Sequence, residues 1–274
     1  VDQTAYQGGK LKISRGFVGL GSRLKWPDDN FISNTTLSAE FIELDNYRTG
    51  DFVDKNGRPI TDGLYKNFNI AQTIARSTIK YTAGDPQSEY EYVEYHKWDI
   101  DAEWYTPLVG KLVLKTAAKL GYLGFYNPDI GTPPFERFEV GGDGLSTQQF
   151  GVTGKDIVSL RGYEIGDINA NNSGGAAVFN KFTVELRYPL SLNPSSTIFG
   201  MLFLTRGNAW KNFDEYNPFN QLRAAGVGVR AYLPMFGLLG FDYAYGWDNQ
   251  SKLNAGARWT EYANFNIVLG FEPE

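Results

Sequence analysis

Residues 181–188 alternate without a break between polar and apolar side chains. An extended chain points successive side chains to opposite sides, so a β-strand here has two chemically different faces. The polar face carries Lys181, Thr183, Glu185 and Arg187, and the apolar face carries Phe182, Val184, Leu186 and Tyr188. The same period of two recurs in residues 97–104 and 239–247, where the apolar faces are large and aromatic. The pattern predicts an all-β protein built from two-faced strands.

Composition limits how such strands can be used. The 274 residues are 42% hydrophobic and 15% aromatic, with a mean hydropathy of -0.35. No window approaches the roughly 18 to 20 consecutive apolar residues that a spanning helix requires. If the chain crosses a membrane, it must do so as a closed β-barrel, because closure leaves no unpaired backbone groups facing lipid. The 17 tyrosines, 19 phenylalanines and 6 tryptophans fit aromatic girdles at two membrane interfaces, although a soluble β-sandwich can also be aromatic.

Several functional classes lack the residues that they require. The chain has no cysteine, which removes disulfides and thiolate metal sites, and its net charge of -5 argues against a nucleic-acid partner. Asp99, Asp101 and Glu103 lie about 6.6 Å apart along a strand, so they do not converge on one ion. His96 is the only histidine, and no nucleophile pattern accompanies it. We therefore expect no enzyme activity, no metal ion and no cofactor.

The order of strands and turns predicts the architecture. No composition break divides the chain, so we expect one domain over residues 1–274. At about 10 residues per spanning strand, this length gives roughly 12 to 16 strands. Residues 77–95 are short for the strands expected there, which makes the number uncertain. The longest stretch without clear alternation is 142–177, and a loop of that length is usually functional or disordered. We predict a closed antiparallel transmembrane β-barrel with about 16 strands.

The long stretch contains Leu160-Arg161-Gly162-Tyr163, and here the sequence resembles the barrel domain of the BamA family of outer-membrane insertases. That family carries a Val-Arg-Gly-Phe/Tyr tetrad in its sixth extracellular loop, with Leu160 standing here for the usual valine. Further segments resemble the family in order over roughly 95–271, and Arg23 to Asp29 is similar to the Bacteroidetes type. These segments are Pro134 to Phe138, Val140 to Gly142, Glu185 to Pro189, Gly207 to Trp210, and Ala225 to Arg230.

The resemblance implies a location and a set of partners. It implies an integral multi-pass protein of the bacterial outer membrane, whose loop 142–177 folds into the lumen. The implied partners are unfolded outer-membrane β-barrel clients, accessory lipoproteins of the assembly complex, outer-membrane lipids and lipopolysaccharide. The POTRA repeats that precede the barrel in this family are absent from these 274 residues, and we expect a secretion signal upstream of Val1.

The tetrad residues have distinct implied roles. Arg161 is expected to pin the loop inside the barrel, because a buried guanidinium needs a carboxylate partner. Glu185 occupies the matching family position on the following strand, where a bidentate contact is expected, and Asp242 is a second candidate. Gly162 would allow a sharp turn beside the arginine, and Tyr163 would pack against the inner wall.

The two ends of the chain predict a weak seam. A closed barrel joins its first strand, near 11–24, to its last strand, near 262–271. Glycines weaken the first strand, and Pro273 cannot donate a hydrogen bond just beyond the last one. We expect this seam to have the fewest hydrogen bonds in the barrel and to open sideways to admit client strands. Its residues are Gly16, Gly19, Gly21, Phe265, Ile267, Leu269, Gly270 and Phe271.

The sequence leaves four functions open, of which the insertase described above is the first. The second is transport, either as a passive pore or as a relative from the two-partner secretion or translocation-assembly branch, which share the Arg-Gly-Tyr-type loop. The third is an outer-membrane enzyme, which predicts loss of turnover with His96→Ala. The fourth is a soluble β-sandwich, which predicts a chain that stays folded in water without detergent.

Overall fold

The structure is a computed structural model of the chain. The structure describes residues 10–23, 32–47, 58–74, 77–84, 94–128, 131–142, 155–172, 174–193, 196–233, 237–254 and 256–270. Within these residues the protein is all-β, with only short helical turns. The 3₁₀ turns are Ile165–Asp167, Phe213–Glu215 and Trp259–Tyr262, and the α-helical turns are Asn169–Asn172 and Gln250–Asn254. No helix of the described residues is long and apolar enough to cross a membrane.

Thirteen strands are found in the described residues. The strands before residue 130 are β1 (Lys10–Arg23), β2 (Ile32–Asp45), β3 (Gly63–Ile74), β4 (Ser77–Gly84), β5 (Tyr95–Pro107) and β6 (Val113–Phe125). Two three-residue strands follow, β7 (Phe138–Val140) and β8 (Asp156–Val158). The remaining strands are β9 (Val178–Asn193), β10 (Ser196–Trp210), β11 (Leu222–Leu233), β12 (Gly237–Gly246) and β13 (Ala263–Gly270).

Eleven of these strands form one antiparallel sheet in the order β1 to β6 followed by β9 to β13. Every neighbour in this wall is also a neighbour in sequence, except that β6 pairs with β9. Between β6 and β9 the chain leaves the wall and forms a small parallel ribbon from β7 and β8. The antiparallel all-β prediction is thereby confirmed. In the described part of the chain no ladder joins β1 to β13, so closure and a total of about 16 strands stay predictions.

The two faces of the wall differ as the alternation predicts. In β9, Lys181, Thr183 and Glu185 are buried, whereas the intervening Phe182 and Val184 are exposed. The same division holds in β12, where buried Asp242 alternates with two exposed aromatic residues. Large apolar side chains therefore cover the outer face, and polar side chains point inward. A soluble sandwich has the opposite arrangement, whereas a barrel in lipid requires this one.

The interior holds the segment that connects β6 to β9. Its apolar side chains form a buried cluster with inward-facing apolar side chains of the wall strands. Large members of this cluster from the connecting segment are Phe135, Phe138, Leu160, Tyr163 and Ile168. Residues 131–142 and 155–172, together with 174–177, are named the lumenal segment below. The described residues 155–172 and 174–177 show no alternation because they are mostly irregular backbone, covered on several sides, rather than a two-faced strand.

The N-terminal strand is exposed on both faces. Of its fourteen residues only Leu11 is partly buried, and Phe17 and Leu20 are 72% and 79% exposed. Strand β1 pairs with β2 over its whole length, from Lys10 opposite Asp45 to Arg23 opposite Ile32. Its other edge carries no ladder in the described residues, so β1 is an edge strand of the wall there.

Candidate functional site in the lumen

The Leu160 to Tyr163 tetrad is positioned by backbone hydrogen bonds within the lumenal segment. The Leu160 N–H donates to the Gly142 carbonyl at 3.2 Å, and the Gly142 N–H donates to the Tyr163 carbonyl at 2.8 Å. The Leu160 side chain is fully buried, and its Cδ1 lies against Gly207 of β10, where an added Cβ would be 3.1 Å away. The tetrad is therefore fixed between the loop's own backbone and the wall.

Arg161 is buried among groups that compensate its charge. Its Nη2 lies 2.5 Å from Glu185 Oε1, and its Nη1 lies 3.7 Å from Asp242 Oδ2. The guanidinium carbon sits 3.8 Å from the centroid of the Phe203 ring, a cation–π geometry. Only 3% of the side chain is exposed. The structure therefore brings Arg161, Glu185 and Asp242 together from the lumenal segment, β9 and β12.

Glu185 is shared between two arginines. Its Oε2 accepts hydrogen bonds from Arg187 Nε at 2.8 Å and from Arg187 Nη2 at 2.5 Å, so only Oε1 faces Arg161. The sequence-based prediction of a bidentate Arg161–Glu185 contact is therefore wrong, because Arg161 contacts one carboxylate oxygen and Arg187 occupies the other. Arg187 follows Glu185 by two residues, and period-two geometry places both side chains on the lumenal face. The alternation therefore places the two side chains on one face, although it does not show that they share the carboxylate.

Asp242 makes its main contacts with a residue that sequence reasoning did not single out. Arg230 Nη1 and Nη2 donate to Asp242 Oδ1 and Oδ2, each at 2.7 Å, in a bidentate pair that is almost fully buried. Two glycines leave the room for it: a Cβ on Gly240 would lie 2.6 Å from Arg230 Cδ, and one on Gly228 would collide with Asp242 Oδ1. Small residues alternating along β11 and opposite them on β12 were the available sign of a bulky lumenal pair.

Gly162 and Tyr163 complete the turn of the tetrad. Gly162 has φ of +92°, and a Cβ there would lie 2.8 Å from the Ala224 Cβ. The Tyr163 hydroxyl donates to the Arg223 carbonyl at 2.7 Å and accepts from the Asp248 N–H at 3.1 Å. Burial raises the pKa of Tyr163 further above its ordinary value, so the hydroxyl is protonated and donates this hydrogen bond. These contacts tie the tetrad to β11 and to the loop after β12.

The acidic residues of β5 form part of a charged wall. Lys115 of β6 lies 2.5 Å from Glu103, and both side chains are largely buried. A polar cavity next to Arg161 is lined by Asp101, Lys119, Lys181 and Thr183 together with this pair. Among the residues that the structure describes, no group of three or more histidine, aspartate or glutamate side chains could hold a metal ion.

The residues of the expected seam lie on two separate edges. Gly16, Gly19 and Gly21 pair with Ala39, Thr36 and Asn34 of β2. Phe265 and Ile267 are exposed on the outer face of β13, and the backbones of Leu269 and Gly270 pair with Leu239 and Leu238 of β12. Phe271 lies outside the described residues. The described ladders do not bring the two groups together, so a seam between them is a proposal.

An antiparallel wall with an apolar exterior, a charged interior and a pinned lumenal segment defines an outer-membrane β-barrel protein whose lumen is occupied. The model of the Omp85 superfamily domain matches residues 40–272, which is most of the chain. The chain therefore belongs to the Omp85 superfamily.

Solved structures show the same fold. BamA from Haemophilus ducreyi lacking POTRA domains 1–3 matches with a TM-score of 0.59 and 16% identity, over 98% of this chain and 55% of that one. CdiB from Escherichia coli matches with a TM-score of 0.52 and 17% identity, over 87% of this chain and 42% of that one. The chain thus spans about half the length of these proteins. No curated protein sequence matches it.

Proposed function

We propose that this chain is the membrane-embedded barrel of an outer-membrane protein insertase of the BamA type, and of its Bacteroidetes branch. In this proposal the wall closes between β1 and β13, and the joint opens sideways to admit client strands. The clients are unfolded outer-membrane β-barrel proteins. Accessory lipoproteins and lipopolysaccharide are further proposed partners, and no enzymatic step is involved. The supporting facts are superfamily membership, the order of the wall strands and the tetrad in the lumen.

The observation that carries the proposal is the state of β1. It is exposed on both faces and has a free edge in the described residues, whereas the central strands of the wall are paired on both sides. An exposed edge presents unpaired N–H and C=O groups that can template another strand. In lipid such groups are not satisfied by water, so pairing with an incoming strand is strongly favoured.

The proposed mechanism needs no covalent chemistry. A client strand adds to the free edge by β-augmentation, and its own hydrogen bonds supply the driving free energy. The glycines of β1 reduce the side-chain packing that would otherwise hold β1 and β13 together. The Arg161 anchor keeps the lumenal segment ordered while the joint changes. The barrel thus acts as a template that is regenerated when the client leaves.

Transport is the second candidate, either as a passive pore or as a relative from the two-partner secretion or translocation-assembly branch, and the fold matches that of CdiB as well as that of BamA. The filled interior argues against a simple pore, because Phe135, Phe138 and Tyr163 are buried where an open channel would pass. Gated transport of one exported protein is still compatible with this interior. Loss of barrel proteins in general on depletion favours the insertase, whereas loss of one exported client favours transport.

The decisive experiment locks the proposed joint with a disulfide. These 274 residues contain no cysteine, so introduced thiols are the only ones within them. We expect Gly16→Cys combined with Ile267→Cys or with Phe265→Cys to cross-link in the full-length protein and to abolish insertion of a client barrel into vesicles. Reductant should restore insertion. Full insertion by the cross-linked form would disprove the mechanism.

A matched control uses the same cysteine on β1. Gly16 is directly opposite Ala39 in the β1–β2 ladder, so Gly16→Cys with Ala39→Cys links two strands that are already paired. This control should cross-link and leave insertion unchanged. An equal loss of insertion in both cross-linked forms would assign the effect to β1 itself and not to the joint.

A further inference from the structure

A second buried ion-pair network lies on the opposite part of the wall from Arg161. Its centre is Glu136, which belongs to the lumenal segment just before β7. Glu136 Oε1 accepts from Lys80 Nζ of β4, and Glu136 Oε2 accepts from Lys97 Nζ of β5, each at 3.2 Å. Only a tenth of the Glu136 side chain is exposed. None of these groups belongs to the tetrad or to its partners.

Lys97 holds both strands of the small ribbon. Its Nζ donates to the Glu136 backbone carbonyl at 2.8 Å, lies 2.7 Å from Asp156 Oδ2 in β8, and sits 4.8 Å from the centroid of the Phe138 ring in β7. One lysine of the wall therefore contacts β7, β8 and the residue that precedes them. Removing its charge partners would leave a cation buried in the lumen, which is strongly unfavourable.

The same network reaches the first strand. Arg15 lies on the inward face of β1, and its Nη2 is 4.0 Å from Glu136 Oε1. Arg15 also donates to Oε1 of the buried Glu40 of β2, from Nε at 3.0 Å and from Nη2, so Glu40 is its nearer carboxylate and Glu136 its second. Lys80 Nζ and the Tyr95 hydroxyl lie 2.5 Å apart beside these groups. Glu136 is thus the one carboxylate of this group that contacts cations from β1, β4 and β5.

We infer that Glu136 is a second anchor of the lumenal segment, complementary to Arg161, and that through Arg15 it restrains the first strand of the wall. The two anchors hold the segment from both halves of the sheet. Glu136 contacts residues of β1, β4 and β5, and Arg161 contacts residues of β9 and β12. The restraint on β1 deepens the proposed function. Its relevance to a lateral joint rests on that function. Glu136 is a positioning residue, since it acts through Arg15 and the ribbon.

The test is hydrogen exchange of the full-length protein in lipid nanodiscs. Glu136→Gln should speed amide exchange in Phe138–Val140 and Asp156–Val158 by about tenfold, and in β1 by about fivefold. Arg15→Gln, at a half-exposed side chain that folding tolerates better, should speed exchange in β1 alone. Exchange in β10 should stay unchanged in both variants. If the Glu136→Gln variant exchanges in β1 and in the ribbon at the same rates as the unmodified protein, the inference is overturned.

The control is Lys12→Gln on the same strand. Lys12 lies 3.4 Å from Glu43 on the outer face, and both side chains are mostly exposed, so its loss should leave exchange in β1 within about twofold. An effect as large as that of Arg15→Gln would overturn the inference, because charge on β1 would then matter without the lumenal contact.

Client insertion, measured on the same samples, separates the inference from the proposed function. Faster exchange in β1 with altered insertion supports both. Faster exchange in β1 with unaltered insertion supports the Glu136 anchor and counts against insertion through the joint.

Discussion

At the residue scale, the lumen is organised by charges that are buried in compensated groups. Arg161, Arg187 and Arg230 share Glu185 and Asp242, and the cations around Glu136 form a separate group. Burying a charge is unfavourable unless partners replace its water, so Arg161 ties the lumenal segment to the strands that supply its carboxylates, and Arg230 ties β11 to β12. The arginine of the tetrad was evident from the sequence, whereas the sharing of its partners was not.

Arg161→Met should destabilise the folded barrel by about 3 to 5 kcal/mol, because it leaves Glu185 and Asp242 with reduced compensation in the lumen. The measurement is the midpoint of urea-induced unfolding in detergent. Arg187→Met is the control: it removes the other cation of Glu185 but leaves the lumenal segment attached, so it should destabilise less. Equal losses would show that Arg161 acts only through the charge of Glu185.

Gly162→Ala should destabilise the barrel by about 1 to 3 kcal/mol, because a φ of +92° is strained for alanine and the new Cβ meets Ala224. Gly166→Ala in the same segment is the matched control, since a Cβ there meets nothing within 4 Å. The shift in unfolding midpoint of the two variants should differ clearly. Similar shifts would mean that the turn at Gly162 relaxes without loss.

The stability of the barrel should fall in acid in a way that depends on Glu136. Burial by itself would raise the pKa of Glu136, but Lys97 and Lys80 outweigh it and lower that pKa from 4.5 to about 2. A lowered folded-state pKa stabilises the fold above about pH 4.5, and this contribution, about 3 kcal/mol, is lost as the pH falls toward 2.

The measurement is the unfolding midpoint at pH 7, 5, 4 and 3 for the unmodified protein and for Glu136→Gln. The variant should be less stable at pH 7 and should lose less stability between pH 5 and pH 3. Parallel pH profiles would contradict the assignment of the acid-sensitive charge to Glu136.

At the element scale, each wall strand separates two environments by its alternation. The outer face of β9 carries Leu186 near its middle and Leu192 near its end, both exposed. Exposed leucines of this kind would be unfavourable in water but are stable against lipid. In a soluble protein, the outer face of such a strand would be in water and would show no preference for apolar residues.

Leu186→Arg should destabilise the membrane-embedded barrel by about 2 to 4 kcal/mol, and Leu192→Arg by about 1 kcal/mol or less, because the unfavourable free energy of a charge increases toward the bilayer midplane. Unfolding from lipid vesicles measures both. A neutral Leu186→Arg would show that this face does not contact hydrocarbon.

At the scale of the whole molecule, the eleven wall strands of the described residues and the lumenal segment form one hydrogen-bonded assembly held from two sides. The sheet supplies the wall, and the two ion-pair groups connect that wall to its contents. Closure between β1 and β13 would remove the last free edges and produce the resistance to detergent typical of such barrels.

We expect the chain, refolded in detergent, to migrate faster on a cold gel in sodium dodecyl sulfate than after boiling, because a barrel stays compact until heat breaks its backbone ladders. Arg161→Met should lower the temperature of this change. Identical migration before and after boiling would contradict a stable barrel.

Sequence alone determined which side chains of each strand are apolar, and hence an all-β protein of two-faced strands, because period-two alternation is a local property of an extended chain. It also supplied Arg161 and the two carboxylates, through alternation and resemblance. It could not supply Arg230 as the partner of Asp242, the sharing of Glu185, or the contacts of Glu136.

Those features were decided only by the tertiary structure. They depend on which strands become neighbours and on how the lumenal segment lies across them, and residues such as Glu136 and Lys97 are 39 positions apart in the chain. A charge pattern shows that a lumenal side chain needs a partner, but only the packing of the wall around the segment chooses which partner it has.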